Sequence, residues 1–218
     1  SGWGDDDTVP EIWRDFAVNG RTVSLWNRVY HFGNGPLPEQ IDIKGKPLFS
    51  EPPALLIDGK AVAGWQIGDT IRKNSAVTYT GRAKIRGGAV AYSTTIEFDG
   101  MIKFDWTIEG MPEIQSMQLA WKQNSDYSEF LLGPHVWNGT GKGDFLYHNG
   151  MDDSLQMIWL VSELGGFAFA PENDANWIYD ETKPIYHIDT NTGSATIDMI
   201  TRQVRMPEAT PYRAVFIA

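Results

Sequence analysis

Between Val90 and Ile108 the chain sorts its side chains so cleanly that few folds accommodate it. With Phe98-Asp99-Gly100 as the loop and Gly100 in the left-handed region as a bulge, the facing pairs become Ile96/Ile102, Thr94/Phe104, Tyr92/Trp106 and Val90/Ile108. These are apolar or nearly so. The other face receives Glu97/Met101, Thr95/Lys103 and Ser93/Asp105. A two-residue loop would scramble the sorting, because a shift of one residue swaps the faces. One face is therefore buried and the other wet, which describes an antiparallel sandwich or jelly-roll sheet and not a parallel α/β sheet.

The rest of the chain agrees. Few windows repeat apolar residues at helical spacing over three turns; most alternate and are broken by Gly, Pro, Asn and Asp. Arg21 to Phe32 reads as a strand, stopped by Gly33-Asn34-Gly35-Pro36. Asp58-Gly59 suits a tight hairpin between Ala54–Ile57 and Ala61–Ile67. Further strands are expected at Ser116–Trp121, Gln156–Leu160, Gly166–Phe169, Ile185–Asp189, Ser194–Ile200 and Tyr212–Ile217. At ~5–6 residues per strand this makes about twelve to fourteen strands in two sheets. Few short helices are expected, at Pro38–Ile41 or near Ser125–Phe130. The expected fold is all-β, an antiparallel two-sheet, jelly-roll-like β-sandwich.

A chain of 218 residues suits one large sandwich. Ser1-Gly2 reads as a tag remnant, and residues 1–19, with Asp5-Asp6-Asp7, as a solvated N-terminal tail; 20–218 is then a single domain, excised from a larger protein. The formal charge of −10 repels phosphate backbones, so nucleic acid and anionic membranes are poor partners. No apolar run approaches the ~18 residues of a membrane span. Without Cys there is no disulfide framework, thiolate metal site or cysteine nucleophile.

The chemistry-bearing residues form no familiar catalytic pattern. His31, His135, His148 and His187 lack metal-ligand spacing, so no metal is expected, and no cofactor fingerprint is present. Lys142 between glycines lacks the helix and Ser/Thr of a phosphate loop. Asp152-Asp153 and Asp180-Glu181 could serve as acid and base or ligate Ca²⁺, but adjacent carboxylates on an extended chain point apart, which favours loop solvation. The nine tryptophans weigh more. Sugar rings stack on flat aromatic faces while their hydroxyls seek amides and carboxylates. Trp177 with Asn173, Asp174 and Asn176, and Trp137 with Asn138, have that composition. Packing of these indoles in a core or against a neighbouring domain is the favoured alternative.

Five pieces in order resemble one family: Val23 to Phe32; Gly35-Pro36-Leu37-Pro38 with Gly45-Lys46-Pro47-Leu48; Phe98-Asp99-Gly100-Met101; Pro134 to Gly139; and Gly165 to Trp177, with Gly165, Phe169, Asp174 and Trp177 spaced as its signature. They are similar to the amino-terminal sandwich domain of proteins resembling glycoside hydrolase family 123. Thr140 to Met157 departs from the pattern as an insertion. The resemblance implies a secreted, periplasmic or cell-surface bacterial parent whose C-terminal (β/α)8 barrel removes β-linked N-acetylgalactosamine. An Asp-Glu pair in that barrel acts with the substrate acetamido group. Asp180-Glu181 lies inside the sandwich motif, so those roles do not carry over and no catalytic residue is expected in this chain. Three functions compete: an accessory domain packed on the barrel, an autonomous carbohydrate-binding module, or an enzyme built into the sandwich around Glu163 or Glu172.

Overall fold

The computed structural model describes residues 7–13, 15–133, 136–140 (backbone), 142–147 and 157–218. Asp152-Asp153, His135 and His148 lie outside them. Strands come first as β1 (Ala17–Asn19), β2 (Thr22–Leu25), β3 (Arg28–Phe32), β4 (Pro38–Ile43) and β5 (Lys46–Pro47). Next are β6 (Phe49–Ile57), β7 (Lys60–Ala61), β8 (Gln66–Arg72), β9 (Ala76–Ile85), β10 (Gly88–Glu97), β11 (Ile102–Gly110), β12 (Glu113–Ile114) and β13 (Met117–Gln123). A 3-10 turn, Ser125–Tyr127, leads into β14 (Phe130–Gly133), β15 (Val136–Thr140), β16 (Asp144–Tyr147), β17 (Ile158–Ser162) and β18 (Gly165–Pro171). Last come β19 (Tyr186–Asp189), β20 (Ser194–Ile200), β21 (Val204–Arg205) and β22 (Thr210–Ile217).

One layer is a nine-stranded sheet in the order β15-β14-β17-β18-β22-β11-β10-β9-β8. The other layer is divided between a six-stranded sheet, β16-β19-β20-β13-β6-β7, and the five-stranded sheet β1 to β5. The Gln40 side chain joins these two pieces. Its Nε2 donates to the Phe49 carbonyl at 2.9 Å and its Oε1 accepts from the Phe49 N–H at 2.8 Å, imitating a backbone pair. The ladders are antiparallel throughout the described strands, as the alternation predicts. Among the described residues, twenty-two segments exceed the expected twelve to fourteen because several are pieces of two to four residues.

Aromatic rings fill the space between the layers. Trp121 on β13 meets Phe167 and Phe169 on β18 and Phe216 on β22, with centroids 5.7, 6.3 and 6.3 Å away. Phe32 on β3 packs against Tyr79 on β9 at 5.2 Å, seating the five-stranded piece over the other end of the large sheet. The β10–β11 hairpin has the expected register, with Tyr92 opposite Trp106 and Thr94 opposite Phe104, and Gly100 at φ 93°. The Asp58-Gly59 turn joins β6 to β7 with both residues at positive φ.

Three local expectations need correction. Ala61–Ile67 is not one strand: β7 ends at Ala61 in the six-stranded sheet, and β8 begins at Gln66 in the nine-stranded one. Arg21–Phe32 is not one strand: Trp26-Asn27 turns the chain between β2 and β3, with Asn27 at φ 60°, a conformation asparagine tolerates. Pro38–Ile41 is strand, not helix, with Ile41 and Ile43 turned inward. The Ser125–Tyr127 helical turn is present as expected.

At the N-terminus Asp7 is tied down. Its carboxylate accepts from the Asn74 and Ser75 N–H groups at 2.9 and 2.7 Å and from the Ser75 hydroxyl at 2.8 Å. The Asn74 bond, then those of Ser75, hold its pKa below the ordinary aspartate value. A depressed carboxylate favours the docked segment above its unfolded pKa and loses that contribution as pH falls through the folded value. The Asn74 and Ser75 amide resonances are therefore expected to move together below about pH 4, and to sit at the low-pH positions already at pH 7 in Asp7→Asn. Resonances that stay fixed through the acid titration contradict this docking.

Candidate functional site

The loop from β18 to β19 crosses from the large sheet to the six-stranded one and carries the Asn173–Trp177 cluster. Ile178 then lies alongside the end of β20, donating to the Met199 carbonyl at 2.8 Å and accepting from Thr201 at 2.9 Å. This leaves a solvent-open groove of about 830 Å³ lined by the turn from Tyr179 to Ile185, by His187 and Asp198, and by Thr201 and Arg202. His187 and Asp198 reach it because alternation aims them outward while Tyr186, Ile197 and Met199 point into the core.

The groove's polar groups are held in place. His187 Nε2 lies 3.0 Å from Asp198 Oδ2, and the Gln118 amide donates to Asp198 Oδ1. Asp180 accepts from the Thr182 hydroxyl at 2.7 Å and its N–H at 3.0 Å, and pairs with Lys183 at 3.5 Å. The Thr182 bonds hold the Asp180 pKa below its ordinary value. Tyr179 meets Trp177 edge-on at 6.4 Å and donates its hydroxyl to Asp174 at 3.3 Å. Beneath this wall, Tyr186 is buried and packs its ring on Trp177 at 6.5 Å.

The Tyr186 hydroxyl has no hydrogen-bond partner among the described residues. Burial, then Tyr179 and Asp174, push its pKa well above the usual phenol range. An unsatisfied buried hydroxyl costs about 1–3 kcal/mol. Tyr186→Phe is thus expected to stabilise the chain by about 1 kcal/mol, raising the midpoint of a thermal melt by roughly 2–4 °C. A lowered midpoint would mean the hydroxyl is bonded.

The sequence-predicted residues divide between two places. Trp177 packs half-buried against the core, and with Asp174 it backs the groove wall. Asn173 and Asn176 instead line a shallow depression of about 260 Å³ with Asp105, Glu172 and Arg213. Their amides are engaged locally: Asn173 Oδ1 accepts from Ala175 at 3.0 Å, and Asn176 Nδ2 donates to the Pro211 carbonyl at 3.0 Å. Trp137 and Asn138 lie on β15, and their side chains are outside the described residues. β15 is three strands from β18 in the sheet, which at ~4.8 Å per strand is about 14 Å. Their strand is not paired with β18, the strand that leads into the Trp177 loop.

The other candidates have structural duties. Lys142 donates to the Ser128 and Thr190 carbonyls, each at 2.9 Å. Arg213 bridges Glu172, at 2.6 Å, and Asp105. Glu163 is on the exposed turn before β18 and Glu172 follows its far end. The strand between them is about 20 Å long at 3.3 Å per residue, well beyond the ~5–9.5 Å of a glycosidase pair. His31 pairs with Asp42 at 2.9 Å on the five-stranded sheet. Among the described residues, no group of three or more His, Asp or Glu is placed to hold a metal ion, and no helix is long and apolar enough to cross a membrane.

Only the fold brings Tyr179, His187, Asp198 and Arg202 together in one groove. Outward positions on β19 and β20 were legible from alternation, but which of them meet depends on register.

The family model for the third domain of glycoside hydrolase 123 matches residues 16–176. The chain belongs to that family. The glycoside hydrolase 123 third-domain match ends before β19, yet β22 sits between β18 and β11, so residues beyond the match complete the sandwich. The family's description implies a multidomain parent and names a third position, where the resemblance pointed to an amino-terminal one. No curated protein sequence matches this glycoside hydrolase 123 domain. Among solved structures, a galactose mutarotase related enzyme from Lactobacillus acidophilus is similar, with a TM-score of 0.50 and 6% identity over 93% of this chain and 96% of that one. A β-arabinopyranosidase gives 0.48 and 10% identity over 88% of this chain and 38% of that one. A heparan sulfate lyase HepC mutant from Pedobacter heparinus gives 0.48 and 10% over 96% and 37%. The first of these likenesses shows a shared fold and nothing more.

Proposed function

We propose that this chain is a non-catalytic accessory β-sandwich domain of a secreted bacterial glycoside hydrolase acting on N-acetylgalactosamine-containing glycans. In this reading it packs against a (β/α)8 catalytic barrel elsewhere in the parent. The family match over residues 16–176 carries the proposal. The groove is consistent with it: a glycosidase acid must hold its proton near neutral pH, whereas the Thr182 hydrogen bonds hold the Asp180 pKa below its ordinary value. Carbohydrate binding is the second reading, favoured by the aromatic-walled groove beside Trp177.

The test compares the parent with and without this domain on an aryl β-N-acetylgalactosaminide. An accessory domain predicts that the barrel retains its reacting groups, so that deletion lowers stability or KM-dependent activity while turnover persists. Complete loss of turnover from a folded barrel, restored by adding this chain in trans with its groove carboxylates intact but not with Asp180→Asn, would count against it.

A further inference from the structure

We infer that the groove between Tyr179 and Arg202 is a binding site for an uncharged pyranoside. The inference deepens the carbohydrate-binding reading and depends on it. Charge decides the ligand class first. The lining carries Asp180, Glu181 and Asp198 against Lys183 and Arg202, with Lys183 already paired to Asp180. There is no cationic excess to draw a phosphate, sulfate or uronate, and the whole chain is at −10. A volume of about 830 Å³ lies within the range of small-ligand sites.

The groups present match sugar hydroxyls in kind. With Nε2 3.0 Å from Asp198, His187 leaves Nδ1 as a second polar ring atom for a sugar hydroxyl, on a ring that is 40% exposed. Arg202 is exposed and supplies guanidinium donors. Asp198, fixed by Gln118 and His187, offers carboxylate oxygens that need no reorganisation to accept. Tyr179 provides a ring whose tilt is set by Trp177 and by its bond to Asp174, suited to the C–H face of a pyranose. The residues come from three segments, the β18–β19 loop, β19 and the β20 end, so the site exists only in the folded sandwich.

Methyl β-galactoside, methyl β-glucoside and methyl β-N-acetylgalactosaminide, with glucuronate as an anionic probe, can be titrated into the ¹⁵N-labelled chain. Neutral glycosides are expected to shift the His187, Asp198 and Arg202 amides with millimolar affinity. Arg202→Ala and His187→Ala should each weaken binding by about tenfold, with Lys84→Ala as the remote control. Absence of shifts with all three neutral glycosides, shifts unaffected by both substitutions, or glucuronate binding in preference to them overturns the inference. Such a failure leaves the accessory reading intact, since that is judged on the turnover of the parent.

Discussion

Trp121→Ala is expected to destabilise the chain by about 3–5 kcal/mol and lower its melting midpoint by roughly 6–20 °C. Trp121 is 4% exposed and its indole touches Phe167, Phe169 and Phe216, all on the opposite sheet. Removing it takes an indole out of the contact between layers and leaves a cavity between β13, β18 and β22. The indole N–H has no partner in the core, so Trp121→Phe, which loses that orphan donor while keeping a ring, should recover most of the loss. Urea or thermal melts monitored by far-ultraviolet circular dichroism distinguish the two. A midpoint for Trp121→Ala within about 2 °C of wild type, under the per-kcal slope above, would mean the layers are not held together there.

The second large effect is polar. Gln123 is fully buried at the end of β13, and its Nε2 donates to the Tyr127 carbonyl at 2.7 Å and across the sandwich to the Leu160 carbonyl of β17 at 3.0 Å. Gln123→Leu keeps the volume and removes both donors, leaving two buried carbonyls to lose them at about 1–3 kcal/mol each. The unpartnered Gln123 Oε1 disappears as well, which offsets part of the cost. The net expectation is a loss of about 2–4 kcal/mol, with faster amide exchange around the Ser125–Tyr127 turn than elsewhere. Unchanged stability would show that these carbonyls find other donors.

What alternation could reveal, it revealed. The β10–β11 hairpin was legible to the residue because one face is wholly apolar and Gly100 marks the bulge. Arg21–Phe32 misled because Trp26-Asn27 contains neither Gly nor Pro; the turn rests on Asn27 alone. Pro38–Ile41 misled because a proline at the first residue of a strand, tolerated there, also suits the first turn of a helix. The two sheets of the second layer are bridged by side-chain amides, Gln40 to Phe49 and Asn124 to Pro47, which no periodicity signals.

The site was legible in composition but not in geometry. Asn173, Asp174, Asn176 and Trp177 do occupy one exposed loop, yet two of them face away from the groove that the other two support. Asx turns use asparagine amides on the backbone before any ligand can. His187 and Asp198 are eleven residues apart and meet only because β19 and β20 pair with His187 opposite Thr196.

If the bond-breaking groups belong to another domain, the purified chain releases no aryl alcohol from an aryl β-N-acetylgalactosaminide beyond the buffer blank at any pH between 4 and 8, a window of about two units either side of a typical catalytic acid. Release that rises in proportion to chain concentration, and that vanishes in Asp180→Asn or Glu172→Gln, would place the chemistry inside the sandwich instead.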